Sequence, residues 1–184
     1  MPLTLKKMLG ALAAGLLIAL SLATTAATAN AQSSGFKPAI GVFNPIRTYV
    51  SGLCLQPAGG STAHFATVVQ EPCDGSAAQG WEPLSPSNNH YTFVNQVSGL
   101  CLWDWDGAAD TASHTGRVLM DDCNGSSNAE FNAGQHLPGV VPLESRLHFK
   151  DSGTCIDVPG GSAAIGLAVQ MYPCNGTGAQ LWVI

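Results

Sequence analysis

The sequence runs to 184 residues, the size of one ordinary domain, and only 10% of them are charged. Twelve acidic residues face seven basic ones, and beyond Lys6-Lys7 no Lys or Arg cluster exists, so nucleic acid and anionic membrane surfaces are poor partners. Six cysteines, 21 glycines and 11 prolines point instead to a cross-linked fold rich in turns.

At the amino end, Lys6 and Lys7 precede an apolar run from Met8 to Ala23, followed by Ala27-Thr28-Ala29-Asn30-Ala31. A basic start, an apolar block and a small-x-small site predict a secretory signal peptide over 1–31, cut after Ala31. The run is shorter than the roughly 20 residues that span a bilayer, and no later segment is long and apolar enough, so no membrane span is expected. A short linker over 32–42 then leads into one domain over 43–184. Its expected location is extracellular, or the periplasm in a Gram-negative cell.

From here the chain repeats itself three times. Ser51-Gly52-Leu53-Cys54-Leu55 opens the first copy, Gly59-Gly60-Ser61 marks a turn, and Ala66–Val69 reads as a strand. Cys73-Asp74-Gly75 follows, then Gln79 and Trp81. In the second copy a strand over Tyr91–Val94 precedes Ser98-Gly99-Leu100-Cys101-Leu102. Cys123-Asn124-Gly125, Ala129 and Phe131 complete it. The third runs from a strand over Arg146–Phe149 through Ser152-Gly153-Thr154-Cys155-Ile156. Gly160-Gly161-Ser162, a strand over Gly166–Val169, Cys174-Asn175-Gly176, Gln180 and Trp182 close it. Repeats over about 43–90, 91–144 and 145–184 follow from these marks.

No segment after the leader carries a 3.6-residue apolar period, so the fold is all-β. Three units are too few for a usual propeller, and a closed threefold barrel suits them, since closure removes strand edges. Trp81, Phe131 and Trp182 would converge on its pseudo-threefold axis. Export makes cysteine oxidation the default, and sequential pairing gives separations of 19, 22 and 19 residues. That regularity predicts the bridges Cys54–Cys73, Cys101–Cys123 and Cys155–Cys174, one in each repeat. A zinc site would need closer cysteine pairs than any present.

With Cys-Leu, Cys-x-Gly and Gln-x-Trp signatures across its copies, the chain resembles the ricin-type β-trefoil lectins over about Phe43 to Ile184. The resemblance implies twelve strands, a six-stranded barrel capped by three hairpins, and up to three shallow sugar sites. It also implies varied employment: free lectins, accessory modules of glycosidases, and toxin subunits that partner a separate effector chain. In this family a sugar site uses an Asp two residues after the first cysteine, a polar residue and an aromatic before the second, and amides near Gln-x-Trp. A carboxylate accepts from two adjacent hydroxyls, and a flat ring packs on the C–H face of a hexose.

Repeat three fits, with Asp157, Gln170, Tyr172 and Gln180, although Ala179 stands where many members place an Asn. Repeat one has Gln56, Val69 and Glu71 at the three key places. Repeat two has Trp103, Leu119 and Asp121, with Asp104 one place on and Trp105 beyond it. Trp103, Asp104 and Trp105 therefore form a possible secondary site, if the two indoles lie on the surface.

No cofactor is expected. The five histidines stand far apart in sequence, and Asp104, Asp106 and Asp110 do not match a calcium loop because Gly107 comes too early. Asp121-Asp122 with Glu130 could pose as an acid–base pair, but scattered surface carboxylates explain them better. The chain reads as a carbohydrate-binding protein and not an enzyme, its partners glycans of galactose or xylose type. The alternative is a protein-binding trefoil, such as a toxin delivery subunit or a protease inhibitor, with decayed sugar sites.

Overall fold

The computed structural model describes residues 41–87, 90–105, 116–134, 139–146 and 153–184. The expected leader over 1–31 lies outside them, as do Asp106, Asp110, His114, His136 and His148.

Each Ser-Gly-x-Cys turn requires a left-handed residue at its second place. Gly52, Gly99 and Gly153 supply it at φ 69°, 67° and 71°, where a side chain would be strained. The turn delivers the following cysteine to the start of a hairpin. There Cys54, Cys101 and Cys155 bond to Cys73, Cys123 and Cys174, the pairing expected from spacing.

Among the described residues twelve strands follow in order. The first set is β1 Arg47–Thr48, β2 Cys54–Pro57, β3 Val68–Glu71 and β4 Trp81–Ser87. The second is β5 His90–Asn95, β6 Cys101–Trp105, β7 Gly116–Asp121 and β8 Phe131–Ala133. The third is β9 Val140–Ser145, β10 Thr154–Asp157, β11 Gln170–Pro173 and β12 Leu181–Val183. Among the described residues the only helical elements are 3-10 turns, and none is long and apolar enough to cross a membrane.

Six strands close a ring. β1 pairs with β12, β12 with β9, β9 with β8, β8 with β5, and β5 with β4. An Asn44–Trp81 bridge returns β4 to the segment entering β1. The remaining six form the hairpins β2–β3, β6–β7 and β10–β11. Their outer strands meet in a triangle: β7 pairs with β11, and single bridges join Thr67 to Leu119 and Val69 to Ala168. A six-stranded barrel capped by three hairpins is a β-trefoil.

The third set opens at Val140, so the repeat boundary drawn before residue 145 falls at the far end of β9. Of the strand expected over Arg146–Phe149, Arg146 alone falls among the described residues. Arg146 is an exposed bend, and 147–149 lie outside the described residues. β9 buries Val141, Leu143 and Ser145 in alternation, and Pro142 and Glu144 on its other face mask that pattern.

Trp81, Phe131 and Trp182 share one buried core with Ile46, Leu55 and Phe93. Both indoles place their buried N–H: Trp81 Nε1 donates to Leu55 O at 2.9 Å and Trp182 Nε1 to Ile156 O at 3.1 Å. Phe131 has no donor to satisfy and packs on Phe93 with ring centroids 6.5 Å apart.

Candidate functional site

Hairpin β10–β11 builds the site. Its register sets Asp157 opposite Gln170 and Cys155 opposite Tyr172, so residues two apart share a face. Gln170 Nε2 donates to Asp157 Oδ1 at 2.9 Å. This bond orients a carboxylate that is only 5% exposed and leaves its second oxygen to accept from a ligand. Tyr172 stands at the rim, 40% exposed.

Beyond β10 the chain turns at Pro159–Gly161, and beyond β11 it folds back through Asn175–Gly178. Between these segments lies a cavity of about 540 Å³, lined by Asp157, Gln170, Tyr172, Asn175, Thr177 and Val50 among others. Asn175 Oδ1 accepts from Thr177 N at 3.0 Å and from Thr177 Oγ1 at 2.7 Å. Asn175 therefore offers its NH2 group, and Thr177 its hydroxyl lone pairs.

The structure thus brings together three of the four residues expected in repeat three. The fourth, Gln180, is corrected. It is 1% exposed and faces inward, donating through Nε2 to Pro173 O at 2.9 Å and accepting through Oε1 from Asn175 N at 2.7 Å. Gln79 makes the same clamp in repeat one, to Pro72 O at 2.8 Å and from Asp74 N at 2.9 Å. The glutamine of Gln-x-Trp is a backbone staple that sets the position of residue 175, not a wall of the cavity. Ala179, where an Asn was expected, lines the cavity and accepts from Val158 N at 2.9 Å through its carbonyl.

Asn175, Thr177 and Val50 escaped the sequence reading. The Cys-x-Gly echo marks Asn175, but the same side-chain turn forms at Asp74–Ser76 and Asn124–Ser126, so the echo signals a loop rather than a ligand. There Asp74 is held below the usual carboxylate range by its hydrogen bonds from Ser76.

Repeat one has no such chemistry. Gln56 Oε1 accepts from Gln79 Nε2 at 2.9 Å, and Val69 opposite is buried. Repeat two does not assemble the secondary site either. Trp103, Asp104 and Trp105 lie on β6, not on a surface loop. Asp104 is fully buried, and Trp103 is 8% exposed in a small cluster with Cys101 and Ala129. Trp105, half-buried, stacks edge-on against Phe65 of repeat one at 5.2 Å. Strand alternation puts both indoles on one face, where Cys101 and Ala129 cover Trp103 and Phe65 packs on Trp105.

The histidines need one correction, because folding joins what the sequence separates. His64 Nδ1 lies 3.0 Å from Asp121 Oδ1, and His64 Nε2 lies 3.7 Å from Asp122 Oδ1. Among the described residues these three are the group spaced to share one metal ion. Hydrogen bonds from Phe65 N to Met120 O and from Met120 N to Ala66 O, 2.7 and 3.0 Å long, hold the loop there. The Asp121 hydrogen bond raises the His64 pKa above its ordinary 6.5, and the Asp122 charge adds to it. Glu130, by contrast, is buried and ion-paired to Arg146, so it forms no acid–base pair with Asp121 and Asp122.

A family model described as "Ricin-type beta-trefoil lectin domain-like" matches residues 45–116. No curated protein sequence matches the chain. Among solved structures, the designed 3-fold symmetric protein ThreeFoil is 25% identical, with TM-score 0.68 over 78% of this chain and 96% of that one. An exo-β-1,3-galactanase from Clostridium thermocellum is 24% identical, with TM-score 0.69 over 80% of this chain and 30% of the galactanase. A Macrolepiota procera ricin B-like lectin, solved in complex with lactose, is 15% identical, with TM-score 0.60 over 80% of this chain and 97% of that one. By topology the chain is a β-trefoil, and over residues 45–116 it is similar to the ricin-type lectin-like family.

Proposed function

We propose that the chain is an exported sugar-binding protein whose working site is the repeat-three cavity. The observation that carries this is the Asp157–Gln170 pair, a nearly buried and oriented carboxylate opening on a cavity rimmed by Tyr172. The carboxylate accepts from adjacent hydroxyls, the ring stacks on the apolar face of a pyranose, and Asn175 and Thr177 complete the polar contacts. Galactose- and xylose-type sugars present these features. Among the described residues the cavity lining carries one carboxylate, where cleavage of a glycosidic bond ordinarily uses a pair. Export is supported by the leader pattern and by three disulfides, which persist in oxidising compartments.

Titration with galactose, xylose and lactose, followed by NMR, tests the reading. Shifts should map to Asp157, Gln170 and Tyr172, with a Kd of about 0.1–10 mM, or roughly 3–5 kcal/mol. Asp157→Asn should weaken binding at least about tenfold, as loss of a charged hydrogen bond does. Gln56→Ala should change nothing measurable. If no glycan perturbs the folded protein, the reading fails and the protein-binding alternative replaces it.

A further inference from the structure

The two banks of the repeat-three cavity come from different repeats. Val50, in the loop between β1 and β2, lines the cavity and is 42% exposed. Its neighbour Tyr49 is 51% exposed and is anchored by its backbone N–H to Leu181 O at 2.9 Å. Both pack against the cavity wall: a Cβ added to Gly178 would meet Val50 Cγ1 at 3.1 Å and Tyr49 Cδ1 at 3.5 Å.

A single buried side chain ties this loop to the opposite bank. Gln70, 0% exposed, accepts from Ser51 Oγ at 3.1 Å and donates through Nε2 to Ser162 O and Ala164 O, both at 2.8 Å. Ser51 follows Val50, while Ser162 and Ala164 belong to the turn of the β10–β11 hairpin. At the same register in the other repeats stand Met120, opposite Leu102, and Met171, opposite Ile156. A buried amide is costly to desolvate unless fully bonded, and the chain uses one here and apolar residues at the other two places. The ring is equally particular to this junction. The residue matching Tyr49 in repeat two is Gln96, whose N–H donates to Gly80 O at 2.9 Å in the same way.

We infer that repeat one completes the repeat-three site, and that its ligand is a neutral oligosaccharide whose first sugar lies at Asp157 and whose next lies on Tyr49. This deepens the sugar-binding reading and rests on it. Two exposed tyrosines, Tyr172 at the rim and Tyr49 beside the far wall, give successive pyranose rings a face to stack on. Neutral sugars are favoured because, among the described residues, the one charge in the cavity lining is the Asp157 carboxylate, which would repel an acidic unit.

The test is calorimetric and NMR titration of the disulfide-bonded protein with galactose and lactose, and with xylose, xylobiose and xylotriose. A second sugar should tighten binding about two- to tenfold, the range that one ring stack supplies. Tyr49→Ala should remove that gain while leaving monosaccharide affinity within about twofold, and Tyr49→Phe should keep it, because the ring and not the hydroxyl stacks. Monosaccharide binding with no dependence on chain length overturns this inference alone. So does a Tyr49→Ala variant that binds oligosaccharides as tightly as the parent, or one that weakens every ligand equally. Failure of sugars of any length to bind overturns the sugar reading and this one with it.

Discussion

Replacing Gln180 with Ala separates a ligand from a staple. The side chain is almost wholly buried and makes two hydrogen bonds to backbone, to Pro173 O and from Asn175 N. Each such bond contributes about 0.5–1.5 kcal/mol net, so deleting both costs about 1–3 kcal/mol. Water can reach Asn175, which is exposed, and that access keeps the cost from rising further. Gln79 makes the same two bonds in repeat one and a third to Gln56, so Gln79→Ala should cost at least as much. Urea unfolding of both variants with the disulfides intact reads the loss as a lower midpoint at unchanged slope. The pairing is the decisive part, because repeat one has no carboxylate at the sugar-binding position. Comparable destabilisation in the two repeats, with weakened sugar binding in Gln180→Ala alone, is the expected result. A Gln180→Ala protein as stable as the parent yet unable to bind sugar would refute the staple and restore Gln180 as a ligand.

Three further expectations follow from the same geometry. Replacing Cys155 and Cys174 together with Ala opens a loop spanning 19 residues and should lower stability by about 3 kcal/mol in urea titrations, the value of the chain entropy released. Trp182→Phe strands the buried Ile156 carbonyl and leaves a void, so it should cost about 2–4 kcal/mol by the same measure. The His64 pKa is raised by its Asp121 hydrogen bond, so its contribution is full below 6.5 and is lost as pH rises through the higher folded value. Stability should therefore fall between about pH 6 and pH 8 by a component that disappears in His64→Gln, which chemical denaturation at the two pH values would detect.

The barrel was legible because threefold repetition multiplies weak local signals. A single Ser-Gly-x-Cys turn says little, but three of them fixed three hairpin starts, and the left-handed glycines show why the motif cannot vary at that place. Cysteine spacing worked for the same reason, since each bridge closes within one repeat. The signal failed where a strand lacks repetition and alternation together. β9 carries Pro142 and Glu144 on its outward face, so its apolar period of two is broken in sequence although Val141 and Leu143 are fully inside.

The site was legible only as far as one hairpin reaches. Asp157, Gln170 and Tyr172 follow from spacing to the cysteines, because strand register converts sequence distance directly into position on a face. Gln180 has equal spacing but does not line the cavity, since the motif it belongs to is kept by backbone bonding in repeats with and without the Asp157-type carboxylate. The indoles of β6 misled for a related reason: a polar neighbour suggested a surface loop, yet Asp104 is itself buried, Trp103 is 8% exposed and Trp105 packs on Phe65. Contacts between repeats leave no trace in spacing at all. Val50 stands over a hundred residues from Asp157 in the chain yet lines the same cavity, and His64 stands 57 from Asp121 yet lies within hydrogen-bond distance of it. What a repeat protein adds to its repeats lies at these junctions, where Gln70, alone among three equivalent positions in being polar, joins the two halves of one cavity.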